Sequence, residues 1–390
     1  MHFIYLDWAA TAMPDPESLK IFTETAVTYP ANPSSAHGPG RDSAGFLSEL
    51  RSSFAGLLDC GPESIVFTSS GTESNNIVFT SLLSRAPSAR RRNSIVLSGI
   101  EHAAVYGPAS LLRSLGYDVR LVNTEPNGVI SADKFLAHAD ETTVLASVMH
   151  VNNETGSIQP VAEIAEGLRG ISSRYGNKIH FHVDAVQSFG KIPFFPVKWH
   201  IDSAAVSGHK IGASRGAGIL YTAHPLPALY RGGDQEQGMR PGTENLAGSA
   251  AFYHSARAAL ESLGERAAHA SSLSRHLREK LADFPECRPF PGFSEENYSP
   301  YIVTVFFPPL PGEVLVRCLS DEGVAVSTGS ACSTRKKGHT RVMEAMMLPK
   351  SLAASALRAS FGPATSMEDI EGLMKALHKT VPGLLRIARN

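Results

Sequence analysis

The chain has 390 residues, 43% of them hydrophobic, which suffices for a large α/β unit with a smaller partner. Thirty-six Lys and Arg residues against 37 Asp and Glu residues give a formal net charge of -1, so no overall field draws the protein to nucleic acid or to an anionic membrane. No signal peptide or membrane-length apolar run stands out, and Cys60, Cys287, Cys318 and Cys332 form no C-x-x-C pair, so the expectation is a cytoplasmic protein without a disulfide framework or zinc ribbon.

Asp15-Pro16 supplies an N-cap and a first-turn proline for a helix that Tyr29-Pro30 stops. A second helix is expected over 41–58, closed by Gly61-Pro62, with a polar loop over 32–40 between the two. From there strands and helices alternate. Strands are expected over 65–68, 95–97, 119–122, 144–148, 180–183 and 203–206, and helices over 72–83, 103–115 and 161–174. This rhythm predicts a mainly parallel sheet covered by helices on both faces, with ligands at the carboxyl ends of its strands. The Pro- and Ser-containing run from Arg85 to Arg92 reads as a solvated loop.

One long or kinked helix is expected from Thr243 to about Leu281. After Pro285 come a strand over 301–306, a helix over 313–322, a short strand at 325–326 and a last helix opened by Ser366, with Asp369 three residues on. The expected division is a large domain over 16–259 and a small α+β domain formed by 1–15 and 260–390.

Chemistry-bearing residues gather at the expected strand ends. Asp184 and Gln187 follow the alternating strand from Ile179, and Ser207-Gly208-His209-Lys210 follows another, ahead of a Gly-rich segment. Ser69-Ser70-Gly71-Thr72-Glu73-Ser74 lies between a strand and a helix, where free backbone N–H groups suit a phosphate; an ordinary capping box from Ser70 and Glu73 explains it equally. A lysine amine, a carboxylate and a phosphate cradle are the parts that pyridoxal phosphate needs together: a Schiff-base amine, a partner keeping the ring nitrogen protonated, and an anion site.

Other candidates lie at further strand ends and loops. His102 stacks on a ring, shuttles a proton or is structural, and Asn153 bonds a phenolic oxygen. Thr243, at the end of a Gly-rich loop and the start of the long helix, is a further phosphate ligand. Cys332, in a small, polar and then basic loop running to Arg335, Lys336 and Lys337, is a thiolate nucleophile or a chance loop cysteine, whereas Cys318 looks buried and inert. Arg358 grips a substrate carboxylate in bidentate fashion or forms a structural ion pair.

In this order, from Tyr5-Leu6-Asp7-x-Ala9-Ala10-Thr11 to Arg358-Ala359-Ser360-Phe361-Gly362, the motifs resemble the cysteine desulfurases, fold-type I pyridoxal-phosphate enzymes of the class V aminotransferase group. The resemblance implies that Lys210 forms the Schiff base, Asp184 pairs the pyridine nitrogen, Gln187 bonds the ring oxygen and His102 stacks on the ring. It further implies that Gly71, Thr72, Ser207 and His209 bind the phosphate, with Thr243 reaching over from the other subunit of a homodimer. Asn153 and Arg358 hold the substrate carboxylate and Cys332 accepts sulfur from L-cysteine, giving alanine and a persulfide for an acceptor such as an iron–sulfur scaffold. The loop around Cys332 resembles the longer-loop branch of the family.

Three departures stand out: Trp8, expected to reshape the substrate entrance, Ala12-Met13 in place of a Thr-containing turn, and Ala213-Ser214 in place of a Gly-Pro. The alternatives are a selenocysteine lyase or another aminotransferase-like enzyme on the same cofactor, a metal hydrolase built on His102, His180, His182, Asp184 and His209, and a non-catalytic scaffold.

Overall fold

The computed structural model describes residues 3–84, 92–229, 231–329 and 341–389. In chain order the strands are β1 (Ile4–Tyr5), β2 (Ile65–Thr68), β3 (Ser94–Ser98), β4 (Asp118–Val122), β5 (Thr143–Ser147), β6 (His180–Asp184), β7 (Ser203–Ser207), β8 (Gly218–Thr222), β9 (Arg288–Pro289), β10 (Ile302–Phe306), β11 (Val324–Ala325) and β12 (Ala356–Ser360). The helices are α1 (Pro16–Thr28), α2 (Gly38–Leu58), α3 (Gly71–Ser81), α4 (Ala103–Ser114), α5 (Ala132–Leu136), α6 (Val161–Tyr175), α7 (Leu246–Glu261), α8 (Leu263–Ala282), α9 (Gly312–Asp321), α10 (Arg341–Ala345), α11 (Lys350–Ala353) and α12 (Met367–Arg389).

A seven-stranded sheet in the order β2-β8-β7-β6-β5-β3-β4 forms the centre of this α/β fold. Only β8 runs against its neighbours, so the carboxyl ends of β2, β3, β5, β6 and β7 share one edge. The inner strands read as unbroken buried runs because both faces are covered. On one face Leu50 and Phe54 of α2, Ile164 and Leu168 of α6, and Phe252 of α7 pack on Phe67, Phe181 and Val206. On the other, Ile77 and Phe79 of α3 and Val105 and Leu112 of α4 cover Val66, Ile95 and Leu97.

A second core lies on the antiparallel sheet β12-β10-β9, with Leu273 and Leu277 of α8, Leu315 and Leu319 of α9, and Leu373 and Leu377 of α12. Leu6 is buried in this core, because β1 pairs in parallel with β11. Among the described residues no helix is long and apolar enough to cross a membrane.

The expected elements are present with local shifts. His37 Nδ1 accepts from the Gly40 N–H at 3.2 Å, which starts α2 at Gly38 rather than at 41, and Asp59 in the left-handed region ends it before Gly61. The stretch after Thr243 is two helices broken at Ser262, and the first begins only at Leu246, because Asn245 Oδ1 accepts from the Gly248 N–H at 3.0 Å. Thr243 is therefore an exposed residue ahead of the helix, not its first turn. Ser366 and Asp369 form the expected reciprocal cap, at 2.8 and 3.2 Å. Cys318 is half-buried rather than buried, since α9 turns Leu315 and Leu319 inward and leaves Cys318 at the flank.

Strand β8 was not foreseen. It reverses into the sheet after a turn in which Gly212 and Gly216 adopt φ of 92° and 84°, so an antiparallel strand completes a sheet expected from βαβ rhythm alone.

Candidate active site

The shared carboxyl edge opens into a cavity of about 350 Å³. Into its wall the strand ends bring Ser70, Gly71 and Thr72 after β2, Glu101 and His102 after β3, and Asn153 beyond β5. Asp184 and Gln187 follow β6, and Ser207, His209 and Lys210 follow β7. Arg358 of β12 completes the far wall. Every expected site residue except Thr243 and Cys332 thus lines one space; Cys332 lies outside the described residues, as do Arg85, Arg90, Arg91 and the basic stretch at 335–337.

At the head of α3 the capping reading holds: Ser70 Oγ accepts from the Glu73 N–H at 3.2 Å, and Glu73 reaches back to the Ser69 N–H. The N–H groups of Gly71 and Thr72, in the first turn, keep no intrahelical partner, so the cap does not consume them. A Cβ on Gly71 would stand 2.5 Å from Val186 Cγ2, which explains the glycine at this close approach.

Asp184 is 4% exposed and rigidly held. Its Oδ1 accepts from the Val186 N–H at 3.0 Å and its Oδ2 from Asn75 Nδ2 at 2.8 Å. A carboxylate only accepts, so Asn75 must turn its amide nitrogen to Asp184 and its oxygen to His182 Nε2, 2.7 Å away. His182 then carries its proton on Nε2, its Nδ1 accepts from the Ser203 hydroxyl at 2.8 Å, and Ser203 Oγ accepts from His180 Nε2 at 2.7 Å. Burial lowers both rings, His182 to about 3 and His180 to about 4, so this chain of neutral groups runs from the sheet to the carboxylate. The two histidines are therefore engaged as hydrogen-bonding groups, which removes the basis for a metal hydrolase; among the described residues no cluster of three or more His, Cys, Asp or Glu side chains could hold a metal.

Lys210 Nζ donates to the carbonyls of Ala9 and Ala10, each at 2.7 Å. Gln187 Nε2 also donates to Ala9 O, at 2.8 Å, while its Oε1 accepts from Lys191 Nζ at 2.9 Å. His209 Nδ1 lies 3.1 Å from Thr11 Oγ1, and burial, with Lys210 and Lys191 nearby, lowers this imidazole to about 4. His102 caps α4: its Nδ1 accepts from the Ala104 N–H at 3.1 Å. Burial lowers the His102 pKa, with Asp184 opposing and Lys210 and Arg341 assisting, so the ring is neutral with its proton on Nε2.

Arg358 is 2% exposed and already paired. One terminal nitrogen meets Asp7 Oδ1 at 2.6 Å and the other donates to Asn153 O at 2.6 Å. The ion-pair reading is thus met, and among the described residues the buried Nε has no partner.

Several residues of the wall escaped the sequence reading. Asn75 sits one turn beyond Gly71 on the inner face of α3, a spacing that would have exposed it. Glu101 accepts from Ser98 Oγ and from the Met149 N–H, both at 2.8 Å, while its Oε2 has no partner. Burial raises this carboxyl to about 8, with Ser98 opposing and Asp184 assisting. Arg341 lies over the Tyr106 ring at 4.1 Å and donates to the Glu101 carbonyl. Trp8, expected at the substrate entrance, is 7% exposed and belongs to a neighbouring cavity instead.

Known proteins share this architecture over its full length. The aminotransferase class-V family model matches residues 4–373. A NifS/IcsS protein homolog of Lactobacillus delbrueckii subsp. bulgaricus is 36% identical over 377 residues, covering 96% of each chain. The cysteine desulfurase IscS of Serratia proteamaculans is 33% identical, covering 98% of this chain and 93% of its own. A solved NifS-like protein superposes with a TM-score of 0.89 at 30% identity, over 98% of this chain and all of its own. The chain belongs to the aminotransferase class-V family, a pyridoxal-phosphate-dependent family, within its group of NifS- and IscS-type cysteine desulfurases.

Proposed function

We propose that this chain takes the sulfur of L-cysteine onto Cys332, leaving L-alanine and a persulfide: the carbon–sulfur bond of the substrate breaks, a sulfur–sulfur bond forms on Cys332, and the substrate Cβ ends with the proton from the thiol. The observation that carries this reading is the convergence of Lys210, Asp184 and the α3 N-terminus on one cavity of about 350 Å³. Gly329, at the same wall, is three residues before Cys332 in the sequence.

The residues fit pyridoxal phosphate. Gly71, Thr72, Ser207 and His209 would hold the phosphate, Asp184 the ring nitrogen, Gln187 the ring oxygen and His102 the ring face. Lys210 would hold the aldehyde carbon. When bound, the cofactor supplies an electron sink beside the substrate Cα. The Lys210 amine then takes and returns the proton at that carbon, and the Asn75-held carboxylate of Asp184 keeps a negative charge where the sink needs one. Arg358 Nε and Asn153 receive the substrate carboxylate, the pairing with Asp7 fixing the guanidinium plane.

In this reading the molecule works as a cytoplasmic homodimer in which Thr243, exposed and outside its own chain's cavity, serves the partner subunit's phosphate site. The clusters around Phe54 and around Leu273 support a large domain over 16–259 and a small one from 1–15 and 260–390, with Ile100 and Met149 packing against Phe306 and Met343 where the two meet. The sulfur passes to an acceptor protein such as an iron–sulfur scaffold. Alanine and sulfide release from L-cysteine tests the proposal: Cys332→Ala should abolish sulfide release. Wild-type rates in that variant would reject Cys332, and activity confined to selenocysteine would favour a selenocysteine lyase.

A further inference from the structure

A second cavity of about 390 Å³, which Lys210 also borders, is not used by the proposed reaction. Its apolar walls include Trp8, Ala12, Ile211 and Phe361, with Met13, 45% exposed, standing at the surface. Trp8, Ala12 and Met13 are the positions at which the N-terminal segment departs from the pattern the chain resembles, so the departures build this space rather than the substrate entrance.

The polar groups in this wall are nearly all donors. Tyr301 is 6% exposed and Ser255 is 3% exposed, and among the described residues both buried hydroxyls have no hydrogen-bond partner. Burial raises the Tyr301 phenol to about 12, with Arg266 opposing, so it stays an O–H donor. Lys191 is 8% exposed and donates to Gln187 Oε1. Among the described residues the Arg266 guanidinium has no ion-pair partner. The one acid in the wall, Asp15, is committed: it accepts from the Ser18 N–H at 3.1 Å and faces His254 Nε2 at 3.3 Å. The Arg266 guanidinium and two unused hydroxyls around an apolar hollow form a complement to an anion with an apolar body, while Lys191, lowered to about 7 by burial, is charged only in part at neutral pH.

We propose that this cavity is a binding site for a small monocarboxylate with an aromatic or branched apolar body and no amino group, its carboxylate held by Arg266 and Tyr301. An ammonium group on the ligand would be repelled by the Arg266 guanidinium, which sets a simple acid apart from an amino acid. The cavity shares Lys210 with the site of the proposed sulfur chemistry, but its occupancy is measured directly, without turnover.

The chain has two tryptophans. Trp199 packs against His150, Phe194 and Phe195, away from this cavity, so a Trp199→Phe background leaves Trp8 as the reporter. The probe is 3-phenylpropanoate titrated into the purified holoenzyme. Trp8 emission should change saturably, with a dissociation constant in about the millimolar range expected for so small a ligand. Arg266→Met, at a half-exposed position, should weaken binding by about tenfold and Tyr301→Phe by about three- to tenfold, each with an unchanged unfolding midpoint. L-Phenylalanine and 3-phenylpropanamide, the ammonium-bearing and uncharged counterparts, should bind at least about tenfold more weakly. The proposal is overturned by a flat titration, by equal binding of the amide, by equal or tighter binding of phenylalanine, or by unchanged affinity in Arg266→Met.

Discussion

Replacing Asn75 and His182 by leucine, singly and together, probes the buried chain that orients Asp184. Asn75→Leu removes a hydrogen bond to a carboxylate, about 1.5–3 kcal/mol, and strands the Nε2–H of a fully buried His182, about 1–3 kcal/mol more. His182→Leu strands Asn75 Oδ1 and the Ser203 hydroxyl, for roughly 2–4 kcal/mol. Both changes break the same 2.7 Å bond, so the double variant should lose less than the sum of the two by about 1–3 kcal/mol. Urea-unfolding free energies of the four proteins at pH 7 give this coupling directly.

Acid adds a second reading of the same chain. The folded protein holds His182 neutral down to about pH 3, whereas the unfolded chain protonates it near its ordinary value of 6.5. The unfolded state therefore binds more protons across that window, and wild-type stability falls as pH drops through it. At pH 5 the loss is about 2 kcal/mol relative to pH 7, and His182→Leu is spared it, so the gap between the two proteins narrows. Additive single effects within about 0.5 kcal/mol, or a gap independent of pH, would refute the hydrogen-bonded chain.

Three further outcomes follow from the geometry. Glu101, raised to about 8 in the folded state from 4.5, gives full stability below pH 4.5 and loses it as pH rises through 8, so Glu101→Gln should gain thermal stability on wild type between pH 5 and 8.5; a constant difference would contradict a buried neutral carboxyl. Gly71→Val directs a branched side chain at Val186 and into the anion cradle, and should weaken pyridoxal phosphate binding by about ten- to a hundredfold with helix content unchanged, as read by equilibrium dialysis and circular dichroism. Glu236, whose buried carboxylate takes Arg51 at 2.6 and 2.7 Å and the Phe67 N–H at 2.7 Å, should cost about 3–5 kcal/mol on replacement by alanine in urea unfolding, with little effect if the pair were merely superficial.

The motifs at the strand ends were legible because each follows a short apolar run, alternating with period two only before Asp184, and opens a helix or loop, so Gly71, His102, Asp184 and Lys210 were found from one-dimensional signals. Strand β8 was not, because a five-residue apolar run after glycines carries no mark of its direction, and direction was set by the tight turn at Gly212 and Gly216. Residues that act through partners were equally hidden. Asp7 holds Arg358 across 351 positions of sequence, and Asn75 holds Asp184 across 109. Lys191 reads as an ordinary lysine until burial and Gln187 give it a place. Thr243 was misplaced for a local reason, since Asn245 competes successfully for the helix cap.

Lys191 also sets the sharpest test of the central claim, because burial, with Lys210 and Arg358 nearby, lowers this amine to about 7 and makes it a rival nucleophile at the edge of the same site. Borohydride reduction of the protein loaded with pyridoxal phosphate, followed by peptide mass mapping, identifies the lysine that held the aldehyde carbon. The phosphopyridoxyl mass should fall on the peptide containing Lys210 and be absent in Lys210→Ala. Its appearance on Lys191, on a surface lysine, or on no peptide at all would contradict the account.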